Sequence, residues 1–396
     1  MHKISRQDGF TITEMMVSTA VMLLVVGATL TTFKNAVMLN DAASQLGDST
    51  QNLRAGTNLL TRDLLMAGRI FGAEGVALPT CAGAQTFVRP GPVAGLVFTT
   101  VAVDGSTMNL PSITTGFELG PVIQGSKTDM VTIMTVDEFM PVIITPPPVP
   151  AVNVTTEGTI AADGLSITLD ANSPWVKKDT VNDTVPMKIG DLVLFKSANG
   201  NAIQTVTKVE ATKISFEAND PFHFNQSCAA IVNADGTTTI NWPMLAFRDP
   251  AVVGPPALAA GYRSNVTLFR ALMTTYYVYV DTTVTPSAPP RLMRQINNWA
   301  PTALAGVVED LDLTYDLVDG DKNPPGVKSL PWTDATQSPA VTYNSNQIRK
   351  VNVHVGVRSE LMSQPTQDYV RNHISTSVDV RSLASVDRYK AAGEIQ

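Results

Sequence analysis

The feature that most constrains this chain is an apolar run close to its N-terminus. Between Phe10 and Phe33 the sequence contains one charged residue, Glu14, and no proline. A helix needs about 20 apolar residues, at about 1.5 Å each, to cross the hydrocarbon core of a bilayer. The apolar body Met15–Phe33 has that length. We therefore expect a transmembrane helix over about residues 12–33.

The order of the parts around this run differs from that of an ordinary secretory signal. The nine-residue leader MHKISRQDG, which contains Lys3 and Arg6, comes first. A secretory signal carries its cleavage site after the apolar region, marked by small residues. Here the Gly9–Phe10 junction lies before the apolar region. Cleavage at this junction would remove the basic residues and leave the helix on the protein.

The single carboxylate within the run also needs an explanation. Placing an ionised side chain inside a bilayer costs a few kcal/mol. The simplest alternative reading, an ordinary single-pass anchor in which Glu14 is accidental, is disfavoured by this cost. A carboxylate in apolar surroundings calls for a cationic partner.

Together these features resemble the N-terminus of type IV prepilins, which carry class III signal peptides. Gly9, Phe10 and Glu14 stand at the positions of the cleavage-site glycine, the first mature residue and the fifth mature residue. Thr13 departs from the family pattern, in which leucine or valine is commoner. The resemblance implies that a prepilin peptidase cleaves after Gly9 and that the Phe10 amine is then N-methylated. It also implies that Glu14 pairs with the Phe10 amine of a neighbouring subunit and so sets axial register, as single buried polar groups do in coiled coils.

The helix is expected to continue beyond the membrane. Leucines recur every seven residues, and a second set lies four residues after each of them, which gives a narrow stripe at helical period. We predict one helix from about Thr11 to Met66, ending near Gly68, whose C-terminal half packs on a β-sheet. Glycines at three positions are weak points of this helix. The leucines are Leu39, Leu46, Leu53 and Leu60, the second set is Ala43, Thr50, Thr57 and Leu64, and the glycines are Gly27, Gly47 and Gly56.

The remainder of the chain is predicted to be β-structure. Together with the helix, this predicts an α+β fold with an antiparallel sheet and a β-rich inserted region. Removing nine leader residues from 396 leaves 387, enough for two compact units behind the helix. We divide the chain into a leader (1–9), a pilin-like helix (10–68), a loop with the first strands (69–150), a β-rich insert (151–235) and a C-terminal β-rich pilin-like region (236–396). The segment Pro141–Pro150 is expected to break the strand pattern.

Alternating or short apolar runs between turn residues predict the strands. Their spacing in the insert suggests a small barrel or sandwich. The Gly190–Asp191 strand start and the C-terminal strands resemble PilW-type minor pilins and, second, the J-type pseudopilins of type II secretion. The predicted strands are Asp129–Val136, Thr159–Leu169, Gly190–Lys196, Ala202–Val209, Lys213–Glu217, Thr274–Asp281, Arg291–Gln295, Val307–Leu317, Val351–Arg358 and Ser377–Leu383.

The sequence offers no catalytic constellation, so we expect neither an enzyme nor a cofactor. Its four histidines lack metal-ligand spacing, and no phosphate loop or nucleophile elbow is present. The net charge is −7 and no basic cluster lies downstream of the leader, so nucleic-acid binding is not indicated. Asp319, Asp321 and Asn323 match the start of a calcium loop, but Pro324 stands where that loop requires glycine. A hairpin turn is the favoured reading there, and calcium the weaker one.

The two cysteines, Cys81 and Cys228, permit a disulfide if the globular part is exported. A pair would join the segment after the helix to the β-rich middle of the chain. The alternative is two free thiols, and spacing alone does not decide between them.

The functional expectation is a minor pilin of a type IV pilus that primes or caps filament assembly. It would sit in the inner membrane as a single-pass protein with its head in the periplasm, and then at the pilus or cell surface. Its partners would be other minor pilins, the major pilin, the prepilin peptidase and the inner-membrane assembly platform. The alternatives are a type II secretion pseudopilin that contacts exported substrate and a tip adhesin or DNA-uptake subunit.

Overall fold

The computed structural model describes most of the chain and shows an α+β architecture, one long helix and a large antiparallel sheet. The described residues are 10–71, 75–78, 86–93, 96–98, 101–103, 107–144, 158–161, 165–177, 186–197, 200–225, 231–232, 238–239, 266–285, 288–319, 326–330, 347–363 and 368–380.

The elements are the helix α1 (Ile12–Met66) and strands numbered in chain order. The strands are β1 (Val76–Ala77), β2 (Val101–Val103), β3 (Thr107–Leu110), β4 (Ile113–Gly116), β5 (Val122–Ile123), β6 (Ser126–Lys127), β7 (Met130–Ile144), β8 (Gly158–Ile160), β9 (Ser166–Leu169), β10 (Leu192–Ser197), β11 (Gly200–Thr205), β12 (Lys208–Val209), β13 (Lys213–Ser215), β14 (Ile231–Val232), β15 (Thr238–Thr239), β16 (Val266–Tyr279), β17 (Arg291–Ile296), β18 (Thr302–Asp319), β19 (Gly326–Leu330), β20 (Ile348–Ser363) and β21 (Asp368–Asp379).

The helix agrees closely with the predicted range. It has 55 residues, begins after the N-cap Thr11 and ends at Met66. At about 1.5 Å per residue it is about 82 Å long, and its buried residues lie between Leu53 and Leu64. Only its C-terminal part therefore packs on the head.

The apolar stripe along α1 is buried in its second half alone. Leu53 and Leu60 are 2% and 0% exposed, and they belong to the core shared with the sheet. Leu39 and Leu46 are 69% and 42% exposed. The expectation that the C-terminal half of the helix packs on the sheet is thus wrong for these two leucines, because the fully buried residues of α1 begin at Leu53. Before it, Gln45 and Thr50 are only half-buried.

The large sheet has ten strands and is organised around the pairing of β7 with β16. On the other edge of β16, β10 pairs with its first half and β17 with its second half. Asn297 lies between them and is fully buried. Its backbone N–H donates to Met273 O and its side-chain oxygen accepts from Met273 N, both at 2.8 Å. One strand edge is therefore shared by the predicted insert and the C-terminal region.

The expected break at Pro141–Pro150 is wrong in its first part. Strand β7 continues through Pro141 to Ile144, while residues 145–150 lie outside the described ranges. The register with β16 shifts between Leu268 and Arg270, so residues 138–141 form a bulge. Proline is tolerated at a bulge because no ladder hydrogen bond is required of it there.

The predicted insert forms a sandwich, but one of its two layers belongs to the large sheet. Strands β12, β13, β9 and β8 form a four-stranded sheet in that order. Ile167 and Ile214 from this sheet share a buried cluster with Phe195 of β10 and Leu268 of β16. The predicted strand Thr159–Leu169 is in fact two strands, β8 and β9, which pair with each other.

The C-terminal strands β18, β20 and β21 form the surface that α1 covers. Valines and leucines of these strands join Leu60 and Leu64 in one cluster. The pairing of β16 with β17 confirms the predicted partnership of Thr274–Asp281 with Arg291–Gln295. The closing strand was predicted too late, at Ser377–Leu383, whereas β21 runs from Asp368 to Asp379 and pairs with β20 along most of its length.

Candidate functional site

The predicted processing and register site lies at the start of α1, where the structure shows a closed hydrogen-bond arrangement. Thr11 is the N-cap, and its hydroxyl accepts from Glu14 N at 3.3 Å. Thr11 N donates to Glu14 Oε2 at 3.0 Å, and the Thr11 hydroxyl donates to the same oxygen at 2.9 Å. This is a capping box, which satisfies two backbone donors that a helix start otherwise leaves unpaired.

The capping box gives Glu14 a role that the sequence interpretation did not include. The Thr-x-x-Glu spacing at residues 11–14 was the signal that could have revealed it. The hydrogen bonds within the subunit involve one carboxylate oxygen, Oε2. Among the described residues, Oε1 accepts no hydrogen bond, so the carboxylate can take a further donor while the cap is kept.

The segment around this site is exposed on every side of the helix. In the part of the chain that the structure describes, α1 is the one helix long and apolar enough to cross a membrane, and its apolar window has no buried residue. Phe10 is 82% exposed, and Leu23 and Leu24 are more than 70% exposed. An apolar surface of this length in water would be costly, so the helix is suited to an apolar environment or to apolar partners.

At its other end, α1 is fastened to the head by a buried polar cluster that sequence analysis missed. Tyr276 donates its hydroxyl hydrogen to Asp63 Oδ2 at 2.6 Å, and Arg294 donates to the same oxygen from Nη2 at 2.8 Å and from Nε at 3.1 Å. Asp63 is 6% exposed. Burial and the Asp63 carboxylate raise the pKa of Tyr276, so the phenol stays a donor. The sequence signal that could have revealed this cluster is Asp63 itself, an acidic residue between Leu60 and Leu64 on the apolar face of the helix.

A second buried carboxylate, Asp129, joins two parts of the head. Its Oδ1 accepts from Glu118 N and its Oδ2 from Leu313 N, both at 2.8 Å, and its own N–H donates to Leu311 O at 2.8 Å. Burial raises the pKa of Asp129 to about 6, although the two backbone donors act against the shift. Asp129 thus bridges the start of β7 to β18.

Several predicted site residues lie outside the described ranges, namely Gly9, Cys81, Cys228, Asp321 and Asn323. The disulfide and the calcium loop therefore stay predictions. Asp319 is the last residue of β18 and pairs with Gly326, the first of β19. Among the described residues, no group of three or more histidines, cysteines or acids could hold a metal ion.

Neither a protein-family model, nor a curated protein, nor a solved structure matches this chain.

Proposed function

We propose that this protein is a minor pilin of a type IV filament. The observation that carries the proposal is the placement of Gly9, Phe10 and Glu14 directly before and within the first turn of a 55-residue helix. The first half of that helix is apolar and exposed, and its second half is built into an antiparallel sheet. A subunit that moves from a membrane into a filament needs such a helix, since it must be surrounded by lipid first and by other helices afterwards.

The proposed mechanism is structural rather than catalytic. A prepilin peptidase removes residues 1–9 and frees the Phe10 amine, which is then methylated. The helix holds the protein in the inner membrane with the head in the periplasm, until the assembly platform extracts it toward the pilus and cell surface. Other minor pilins and the major pilin are its neighbours in the filament.

The size of the head favours a minor subunit that primes or caps the filament. Beyond residue 68 the chain has 328 residues, 69–396. Subunits of a helical fibre are stacked closely along its axis, and a head of this size repeated in every subunit would clash with its neighbours. A position at the tip, or in a short priming complex, avoids this conflict.

Glu14 is central to the assembly step, and its two roles can be separated by mutation. Glu14→Gln keeps the capping box, because glutamine serves at this position as glutamate does, but it removes the charge that pairs with the Phe10 amine of a neighbour. Thr11→Val keeps the charge and removes the hydroxyl of the cap. We expect Glu14→Gln protein to be processed and inserted, since a neutral side chain is cheaper to bury, yet to be absent from sheared filaments.

The measurement is the amount of the subunit in purified filaments relative to the membrane fraction, by immunoblotting. Thr11→Val is the matched control and should enter filaments at close to the wild-type level. Wild-type incorporation of Glu14→Gln would rule out a register charge at Glu14. Equal loss in Thr11→Val, which keeps the charge, would show that the charge alone does not account for incorporation.

A further inference from the structure

The middle of α1 carries the sequence pattern of a helix end followed directly by a helix start. Residues 47–52 read Gly-Asp-Ser-Thr-Gln-Asn, and all of them except the glutamine are among the weaker helix formers. Gly47 is the residue type most often found just after the end of a helix, at C′. Asp48 and Gln51 then have the N-cap and N3 spacing of a capping box, directly before the buried run that begins at Leu53.

This second start signal is not used in the conformation that the structure shows, in which α1 continues through the segment. The chain does use the same type of signal at the true start of α1, where Thr11 and Glu14 form a capping box. A capping box satisfies backbone donors that a new helix start would otherwise leave unpaired. The downstream half of α1 therefore has its own cap available, should the helix begin at Asp48.

The segment lies where α1 leaves the head. The fully buried residues of the helix begin at Leu53, whereas Gly47, Asp48 and Gln51 are exposed. A cleft of about 380 Å³ separates this turn of the helix from nearby residues of β17, β18 and β20. A break in this turn would therefore leave the packed part of α1 on the sheet.

Local contacts also loosen the helix here. Among the described residues, apart from its chain neighbours and the helix backbone, no heavy atom lies within 4 Å of a Cβ placed on Gly47, so packing does not require a glycine. The Thr50 hydroxyl donates to Leu46 O at 2.8 Å, and a hydroxyl bonded four residues back slightly destabilises and bends a helix. The same hydroxyl accepts from Asn372 Nδ2 of β21 at 3.0 Å, which ties the helix to the head after the glycine.

We propose that α1 is a two-state element that breaks between Leu46 and Asp48, with Gly47 as the C′ residue of the first helix and Asp48 as the N-cap of the second. The continuous helix is one state. In the broken state the head changes its orientation relative to the apolar segment, while the residues from Leu53 onward stay on the sheet. Because both new ends carry capping signals, breaking is easier here than elsewhere in α1. The proposal does not depend on the filament function.

Hydrogen–deuterium exchange of the full-length protein in neutral detergent, read by mass spectrometry with fragmentation to single amides, tests the proposal. The amides of residues 48–51 lose their helical acceptors in the broken state, so we expect their protection factors to be lower than those of residues 41–46 and 54–60. A minimum between two protected segments distinguishes a break from fraying, in which protection changes steadily from one end.

A substitution at the glycine should close the break. Gly47→Ala should raise the protection factors of residues 48–51 about 5-fold, since alanine favours the helix over glycine by about that factor. Gly27→Ala is the matched control, because no heavy atom of the described residues, apart from chain neighbours and the helix backbone, lies within 4 Å of a Cβ placed there either. It should leave the protection of residues 48–51 unchanged.

A pair of substitutions at Asp48 tests the cap itself. Asp48→Ala removes the cap of the second helix and introduces a stronger helix former, so it should raise the protection of residues 48–51 about 10-fold. Asp48→Asn removes the charge but keeps an equally good N-cap residue of similar helix propensity. It should behave like the wild type.

Three results would overturn the proposal. The first is a wild-type protein whose protection is uniform across residues 41–60. The second is a Gly47→Ala variant with unchanged protection, or a Gly27→Ala variant with the same increase. The third is an equal increase in Asp48→Asn and Asp48→Ala, which would exclude a cap at this position. Thermal unfolding of each variant verifies that its head is folded.

Discussion

At the scale of single residues, Asp63 makes the most consequential contact between helix and sheet. Its carboxylate receives hydrogen bonds from Tyr276 and Arg294 in a setting that is nearly closed to water. Removing one partner of a buried ion pair is costly because the other charge stays buried without compensation. The contact thus fixes how α1 is seated on the sheet.

We predict that Asp63→Ala lowers the free energy of unfolding by about 3–5 kcal/mol. The neighbouring Arg62 provides the control, because its side chain is 63% exposed and its Nη2 lies 3.6 Å from Asp63 Oδ1. Arg62→Ala should cost less than about 1 kcal/mol. Urea unfolding of the detergent-solubilised protein measures both. A cost below about 1 kcal/mol for Asp63→Ala would show that the cluster does not hold the helix.

Asp129 makes stability depend on pH. Because its pKa is raised to about 6 in the folded protein, the folded state binds a proton more tightly than the unfolded chain does. The contribution to stability is therefore full below about pH 4 and is lost as pH rises through 6. It amounts to at most about 3 kcal/mol, from about 1.4 kcal/mol per pKa unit.

The difference in unfolding free energy between wild type and Asp129→Asn isolates this contribution, because other carboxylates titrate alike in both proteins. We predict that the difference decreases between pH 4 and 6.5. Denaturant unfolding at a series of pH values provides the measurement. A difference that stays constant over this range would contradict the assigned pKa.

At the scale of elements, α1 is one helix with two environments. Its seven-residue leucine pattern is continuous in the sequence, but the structure divides it. Leu53 and Leu60 face the sheet, whereas Leu39 and Leu46 are exposed. Periodicity identifies the face of a helix that is apolar, but it does not say which part of that face is covered by protein.

The two halves of the pattern should respond differently to the same substitution. Leu60→Ala, at a fully buried site, should cost about 2–5 kcal/mol because it leaves a cavity. Leu39→Ala should change stability by less than about 0.5 kcal/mol, as for an exposed position. Urea unfolding of the two variants compares them directly. Equal losses of unfolding free energy in the two variants would mean that the head packs against the helix as far toward its N-terminus as Leu39.

Single strands were easier to predict than their connections. The patterns of Asp129–Val136 and Val351–Arg358 marked β7 and β20 correctly, although only β20 has a single buried face and β7 is buried on both. Pairing between β7 and β16 joins residues more than 120 positions apart, and local patterns carry no information on such partners. The continuation of β7 past Pro141 was missed because the bulge that accommodates the proline exists only in the context of β16.

At the scale of the whole molecule, the α+β class and the division into helix and sheet followed from the sequence. The processing segment around Gly9, Phe10 and Glu14 stays a prediction, and it was predicted from residue spacing. The buried clusters around Asp63 and Asp129 were not, because their partners come from distant strands. The shared edge of β16, where β10 and β17 meet at Asn297, likewise depends on tertiary pairing.

In the proposed function the chain enters a filament through a processed and methylated N-terminus, and mass spectrometry of that N-terminus can detect both modifications. Protein purified from membranes of a host with a prepilin peptidase should begin at Phe10 and carry one added methyl group. Gly9→Val should retain the leader, because the peptidase subsite accepts no side chain there. An intact Met1, or a cut after Ala28, in the wild-type protein would rule out prepilin processing.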